Sequence, residues 1–302
     1  MKNVPIKGII PPILTPMNAD ESINEQELRN QVDRMVEAGV HGLFPFGTNG
    51  EGYILSLEEK EFVLDVVLDQ NKGRLPIYAG TGSISTRDTV YMSKRAEQMG
   101  ADVLSIITPS FGLASQKELY DHYVEVAKHV NIPIVLYNIP ARTGNKLLPE
   151  TVAKLARDVD VVMGAKDSSG DLDNLMAYIE LTRDLDKDVA ILAGNDGNIL
   201  KCLMAGGAGG VAGRANIWPK TSASIYDLFV AGDLEGAQKA QDSITSLQRV
   251  FKYGNPNTII KKAAALKGFA VGDCRRPFNY LCDEGVEELK KVLAETDALG
   301  LC

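Results

Sequence analysis

Short apolar runs recur eight times along this chain, and each is separated from the next by a helix-length amphipathic stretch. The first two runs are Gly8-Ile9-Ile10-Pro11-Pro12-Ile13-Leu14 and Gly42-Leu43-Phe44-Pro45-Phe46. They are followed by Pro76-Ile77-Tyr78-Ala79-Gly80, by residues 101–107 and by Pro133-Ile134-Val135-Leu136-Tyr137. The last three are residues 161–166, residues 189–193 and the glycine-rich stretch 206–213. Apolar runs without polar alternation are what a parallel sheet buried on both faces produces. Between them, residues 24–38 place Leu28, Val32, Met35 and Val36 on one helical face, and Ser56-Leu57-Glu58-Glu59 is a capping-box pattern. Gly39, Gly73 and Gly100 close successive helical stretches. Eight such βα units predict an α/β protein, a (β/α)₈ TIM barrel over residues 1–218. Residues 219–302 read as a C-terminal helical extension packed on it, helical over 219–296 with a break at Tyr253-Gly254-Asn255-Pro256. An open doubly wound sheet is the structural alternative, but Thr15-Pro16-Met17-Asn18 is not the glycine-rich phosphate loop that such a sheet carries after its first strand.

Charge narrows the function classes. A formal charge of -8, with no cationic run longer than pairs such as Lys261-Lys262, argues against a nucleic-acid partner. Met1-Lys2-Asn3-Val4-Pro5 and the proline-broken Gly8-Ile9-Ile10-Pro11-Pro12 predict neither a signal peptide nor a membrane span. Cys202, Cys274, Cys282 and Cys302 lie apart without a CxxC pair and read as reduced thiols of a cytoplasmic protein. His41, His122 and His129 have no metal-ligand spacing, so no metal is expected.

One lysine is placed unlike any other. Val161-Val162-Met163-Gly164-Ala165 runs without a charge into Lys166, and turn residues follow. A lysine at the end of a buried strand is paired, exposed or used, because desolvating an ammonium is costly. A neutral lysine amine attacks a carbonyl to form a Schiff base, whereas a snorkelling surface lysine does nothing of the kind. Barrel chemistry sits at the carboxyl ends of the strands. Those positions hold Thr48 and Asn49 in Gly47-Thr48-Asn49-Gly50-Glu51, Tyr137 and Arg142 after the fifth run, Lys166 after the sixth, Gly194 after the seventh and Val211 in the eighth. Lys166 would add to the ketone of a 2-oxo acid, giving a covalent imine that needs no further cofactor. Tyr137, hydrogen-bonded to the Thr48 hydroxyl, would carry protons, and the Thr48-Asn49 turn would cradle the substrate carboxylate. Taken singly, each has a plainer reading: Tyr137 as packing, the turn as a turn and Arg142 as surface charge. The joint placement carries the catalytic reading.

These motifs resemble the dihydrodipicolinate synthase / N-acetylneuraminate lyase family of class I aldolases over residues 6–296. The markers are Gly47-Thr48-Asn49-Gly50-Glu51, Tyr137-Asn138-Ile139-Pro140, Gly164-Ala165-Lys166-Asp167 and Gly207-Ala208-Gly209-Gly210-Val211 with Ala215-Asn216. The resemblance implies that Lys166 forms the Schiff base and Tyr137 relays protons. It places Thr48 and Asn49 on the pyruvate carboxylate, and Gly194 and Val211 in the pocket lining. It implies a homotetramer built as a dimer of dimers, small-molecule 2-oxo acid and aldehyde substrates, and no metal or organic cofactor. Arg142 matches the synthase arginine that holds the carboxylate of aspartate semialdehyde, and Gly197 stands where a sialate lyase carries a glutamate. Ser168-Ser169-Gly170-Asp171-Leu172 and Cys274-Arg275-Arg276-Pro277-Phe278 look more like the lyases.

Two residues depart from the synthase pattern. Asn49 replaces its second turn threonine, as in relatives that cleave 4-hydroxy-2-oxo acids, and Phe111 replaces its interface tyrosine. Ser110 stands where some synthases place an interface aromatic, which argues against feedback inhibition by lysine. The expected activity is condensation of pyruvate with a carboxylate-bearing aldehyde such as aspartate semialdehyde. The alternatives are retro-aldol cleavage of a 4-hydroxy-2-oxo or 2-oxo-3-deoxy acid, with sialate cleavage third, and a non-catalytic relative that only binds 2-oxo acids.

Overall fold

The computed structural model describes residues 4–300. Met1–Asn3, which entered the reading of the N-terminal segment, and Cys302 lie outside the described residues. The first elements are β1 (Gly8–Ile9), α1 (Glu25–Glu37) and α2 (Leu57–Asn71). Then β2 (Tyr78–Gly80), α3 (Thr86–Met99), β3 (Val103–Ile107), α4 (Gln116–Ala127) and β4 (Ile134–Asn138) alternate. A short α5 (Pro140–Thr143) precedes α6 (Pro149–Asp158), β5 (Val162–Asp167), α7 (Leu172–Thr182) and β6 (Ala190–Ala193). After α8 (Ile199–Met204) and β7 (Gly209–Gly210) the chain is mainly helical. Its last helices are α9 (Pro219–Val230), α10 (Leu234–Thr245), α11 (Pro256–Leu266) and α12 (Asp283–Asp297).

Among the described residues seven strands form one sheet in the order β1-β7-β6-β5-β4-β3-β2. Each strand from β3 to β7 lies parallel beside its predecessor, as repeated βα crossovers require. The strands are short and mostly buried, every residue of β4 included. The helices begin where local chemistry predicts. Ser56 and Ser115 each close a capping box with the glutamate three residues on, satisfying two N–H groups at the start of α2 and α4.

The chain divides into two compact units, Met1–Gly8 with Pro76–Val211 and Ile9–Leu75 with Ala212–Cys302. The first holds β2 to β7 with α3 to α8, and its core is built from residues such as Leu104, Ile106, Leu136 and Ala165. The second packs α1, α2 and α9 to α12 around Ile10, Leu14, Leu28, Phe44 and Trp218.

The second expected strand, Gly42–Phe46, does not form. It runs beside the first, with the His41 N–H donating to the Ile9 carbonyl at 2.8 Å and the Phe44 N–H to the Pro11 carbonyl at 2.9 Å. Pro11, Pro12 and Pro45 have no N–H to offer, so the ladder stops there. The C-terminal stretch also differs from expectation. Between α11 and α12 the chain is extended and irregular, with a cis Arg276–Pro277 bond and left-handed Gly268 and Gly272.

Candidate active site

Lys166 is the penultimate residue of β5 and is 3 % exposed. The parallel register sets it directly across from Tyr137 on β4 and Leu192 on β6. Side chains at paired positions leave the sheet on the same face. The Lys166 ammonium accordingly lies 3.7 Å from the centroid of the Tyr137 ring, a cation–π contact that compensates part of its lost hydration. This is a lysine held among strand-end side chains and shielded from bulk water, the setting in which an amine serves as nucleophile.

The strand ends beneath that pair are stitched together on the opposite face. Asp167 is buried, and its carboxylate accepts from Asn138 Nδ2 at 2.7 Å, the Ser169 N–H at 3.2 Å and the Ser169 hydroxyl at 2.7 Å. Asn138 in turn accepts from the Leu147 N–H at 3.0 Å. A buried charge satisfied on three sides resists movement, so the register holding Tyr137 beside Lys166 is fixed from behind. Sequence reasoning missed this bracket, although Asn138 and Asp167 follow the two chemical residues directly and are themselves paired in register.

Gly194 belongs to the same cluster. Its N–H donates to the Asp167 carbonyl at 2.7 Å. A Cβ there would stand 2.9 Å from Lys166 Cε and 2.0 Å from Ser168 Oγ, so only glycine fits beside this lysine. Ser168 is thereby placed at the lysine's side as well. Val211, 4 % exposed, follows directly after β7 with its N–H on the Ala193 carbonyl at 2.8 Å.

Arg142 lies exposed in α5, the single turn that follows β4. The loop beside it is held by Asn145, a residue that sequence reasoning passed over. The Asn145 amide donates to the Pro109 and Gly112 carbonyls, both at 2.8 Å, and its oxygen accepts from the Ala114 N–H at 2.7 Å. That loop carries Phe111 at φ 75° and 97 % exposed.

The Thr48–Asn49 turn belongs to the other unit and is built differently. Backbone bonds close it, from Glu51 N–H to the Thr48 carbonyl at 3.2 Å and from Gly52 N–H to the Gly47 carbonyl at 3.1 Å. Asn257 Nδ2 donates to the Thr48 carbonyl at 2.7 Å, and Asn49 Nδ2 donates to Asn257 Oδ1 at 3.3 Å. Glu51, wholly buried, pairs with the buried Lys261 at 2.6 Å and accepts from the Arg275 N–H at 2.8 Å. Asn257 and Lys261 also escaped sequence reasoning, which counted Lys261 only as charge. Its place on the apolar face of α11, among Ile259, Ile260, Ala263 and Ala264, was the available signal.

Burial, and then the nearby Glu51 charge, push the Cys274 thiol up to about 12. Burial likewise raises Cys202 to about 12, so neither is a nucleophile at neutral pH. Cys202, Cys274 and Cys282 are free thiols. Among the described residues no three His, Cys, Asp or Glu side chains are grouped to hold a metal, and no helix is long and apolar enough to cross a membrane. A cavity of about 740 Å³ opens at the N-terminal ends of β4 to β6, lined by Pro133, Met163 and Ala190. It faces away from the strand ends that carry Lys166, so volume alone does not mark the chemistry.

Buried strand ends on a βα framework present an amine, a phenol and a glycine that nothing larger can replace, an arrangement suited to Schiff-base chemistry. Comparison with known proteins agrees. The model of the dihydrodipicolinate synthetase family matches residues 5–296. A 4-hydroxy-tetrahydrodipicolinate synthase of Methanopyrus kandleri is 39% identical, over 98% of this chain and 97% of its own. The crystal structure of the dihydrodipicolinate synthase of Thermotoga maritima superposes with a TM-score of 0.93 at 30% identity, covering 98% of this chain and 99% of its own. YagE, a prophage protein of the same family from E. coli K12 solved in complex with pyruvate, gives a TM-score of 0.93 at 29% identity, with 98% and 99% covered. The chain belongs to the dihydrodipicolinate synthetase family. Its fold class is the (β/α)₈ barrel with a C-terminal helical extension, as expected from the repeating runs.

Proposed function

We propose that this chain condenses pyruvate with a carboxylate-bearing aldehyde, aspartate semialdehyde being the first candidate, through a Schiff base on Lys166. The observation that carries the reading is the pairing of Lys166 and Tyr137 in register, ammonium over ring at 3.7 Å. In this mechanism the neutral Lys166 amine adds to the ketone carbon of pyruvate, and the carbinolamine expels water to leave an iminium. Loss of a methyl proton gives the enamine, whose carbon attacks the aldehyde carbon while the aldehyde oxygen takes up a proton. The adduct is still an iminium on Lys166; attack on its carbon by water, or by the amino group that the semialdehyde itself carries, displaces the lysine, which leaves as the amine after taking up a proton. Tyr137 moves the protons of addition and dehydration. Thr48 and Asn49 hold the pyruvate carboxylate. The Asn49 amide is engaged with Asn257, so Asn49 acts through its backbone. Gly194 and Val211 line the pocket, and Arg142 receives the aldehyde's carboxylate as a two-pronged donor. The imine makes a metal or organic cofactor unnecessary. The working form we propose is a cytoplasmic homotetramer, a dimer of dimers, whose barrel ends at residue 218 and whose helical extension begins at 219.

A second reading is favoured by Phe111, which has no hydroxyl to relay a proton. Under it the same imine cleaves a 4-hydroxy-2-oxo or 2-oxo-3-deoxy acid, releasing pyruvate and an aldehyde. Purified protein given pyruvate and aspartate semialdehyde should consume both, with reductase-coupled detection of the cyclic product. Pyruvate release from 2-oxo-3-deoxy acids, with no consumption of the semialdehyde, would overturn condensation in favour of cleavage.

A further inference from the structure

We propose that Asn257 and Lys261 are positioning residues for the Thr48–Asn49 turn and set the chain's affinity for the carboxylate of its 2-oxo acid. The inference rests on the carboxylate role proposed for that turn. The two residues lie four apart on α11 and therefore share one helical face. They are 2 % and 1 % exposed. Asn257 is itself fixed by the helix cap, its N–H donating to Asn255 Oδ1 at 3.1 Å. Its single amide then engages both turn residues, through the Thr48 carbonyl at 2.7 Å and the Asn49 amide at 3.3 Å. Lys261 engages the same turn from two sides. Its ammonium donates to Glu51 at 2.6 Å and to the Thr15 carbonyl at 2.8 Å, and the Thr15 hydroxyl donates to the Gly50 carbonyl at 2.6 Å.

The turn needs such a hold. Phe46 at φ 42° and Glu51 at φ 57° bracket it, and non-glycine residues keep left-handed backbone only where their surroundings over-determine it. A Cβ on Gly50 would stand 2.6 Å from the Ile13 carbonyl oxygen, so the segment is pressed against the chain behind it. Stability alone does not explain the choice of residues. A buried ion pair is commonly no more stabilising than well-packed apolar side chains of the same volume, and Ile259, Ile260 and Ala263 show that this helix has apolar neighbours to offer. What the polar pair adds is direction: its donors and acceptors converge on one short turn and fix where its carboxylate-binding groups stand.

Asn257→Leu and Asn257→Asp test this by steady-state kinetics with thermal unfolding alongside. Both should raise the pyruvate KM about tenfold while kcat at saturation changes by less than about twofold. The aspartate variant keeps the shape but, when ionised, replaces the donor by a negative charge facing the Thr48 carbonyl, so it decides the matter if the leucine variant, which loses the donor without adding charge, fails to melt cooperatively. Its KM should recover as pH falls through the carboxyl range, because the protonated carboxyl introduced by Asn257→Asp again donates to the Thr48 carbonyl, a response that mere loosening would not show. An unchanged KM in the aspartate variant, or a loss of kcat at constant KM, overturns the proposal. A wild-type protein that traps no pyruvate on borohydride reduction overturns the carboxylate reading of the turn and the clamp with it.

Discussion

The strand-end cluster around Lys166 and the turn around Thr48 are held by opposite means. At the cluster, a regular parallel ladder does the placing: register alone sets Lys166 across from Tyr137, and the Asp167–Asn138–Ser169 bracket locks it from the far face. At the turn there is no ladder. The backbone is left-handed at Phe46 and Glu51 and depends on side chains that arrive from more than two hundred residues away. The first region can therefore lose its chemical side chain without losing its shape, whereas the second loses its shape when a supporting side chain goes.

The largest stability effect should fall on the turn. Lys261→Met leaves the buried Glu51 carboxylate without its cation and should cost about 3–5 kcal/mol in urea denaturation. Glu51→Gln with Lys261→Met should recover much of that loss, since no charge is then stranded. A single variant as stable as wild type would mean that the turn is held by backbone alone and would erase the contrast.

At the cluster the sharpest steric test is Gly194→Ala. Its Cβ would press on Ser168 Oγ and Lys166 Cε, and kcat/KM should fall about a hundredfold with little change in unfolding midpoint. Adding Ser168→Ala should restore part of the activity. If the double variant is no better than the single one, the crowding at Lys166 is not what glycine avoids.

The smallest effect sets the background against which pH profiles of either region are read. His122 is buried in α4, with Nδ1 2.9 Å from the Thr86 hydroxyl and Nε2 without a partner, and burial pushes its imidazole down to about 4. The unfolded chain takes up this proton first, from 6.5 downward. The native state's advantage is therefore complete above 6.5 and is lost progressively as pH falls to about 4, amounting to about 3 kcal/mol. His122→Gln should flatten stability over that window. An unaltered slope would assign the acid loss to other groups.

What the sequence made legible follows the same division. Lys166, Tyr137, Gly194 and Val211 could be read because each sits at a strand end, and strand ends are marked by where an apolar run stops. The runs at 101–107, 133–137, 161–166 and 189–193 appeared as strands within a residue or two of expectation, the glycine-rich run at 206–213 kept only Gly209–Gly210, and Gly42–Phe46 failed because prolines on both sides remove its ladder donors. The Glu51–Lys261 pair and the Asn257 grip were invisible because nothing local ties them; only the fold brings α11 to the turn. Asn145 shows the same limit at shorter range, since its amide spends itself on the loop carrying Phe111, which carries no periodic signal. The irregular stretch before α12 was smoothed into helix because Gly268, Gly272 and Pro277 were not weighed as breakers.

The central claim is that Lys166 forms the imine, and intact mass after incubation with pyruvate and borohydride tests it most directly. The account predicts one reduced pyruvyl adduct on the wild-type chain, localised to Lys166 by peptide mapping. It predicts none on Lys166→Ala, with a far-ultraviolet spectrum unchanged and turnover lowered by about 10³-fold or more. An adduct on another lysine, or turnover retained in Lys166→Ala, would contradict it.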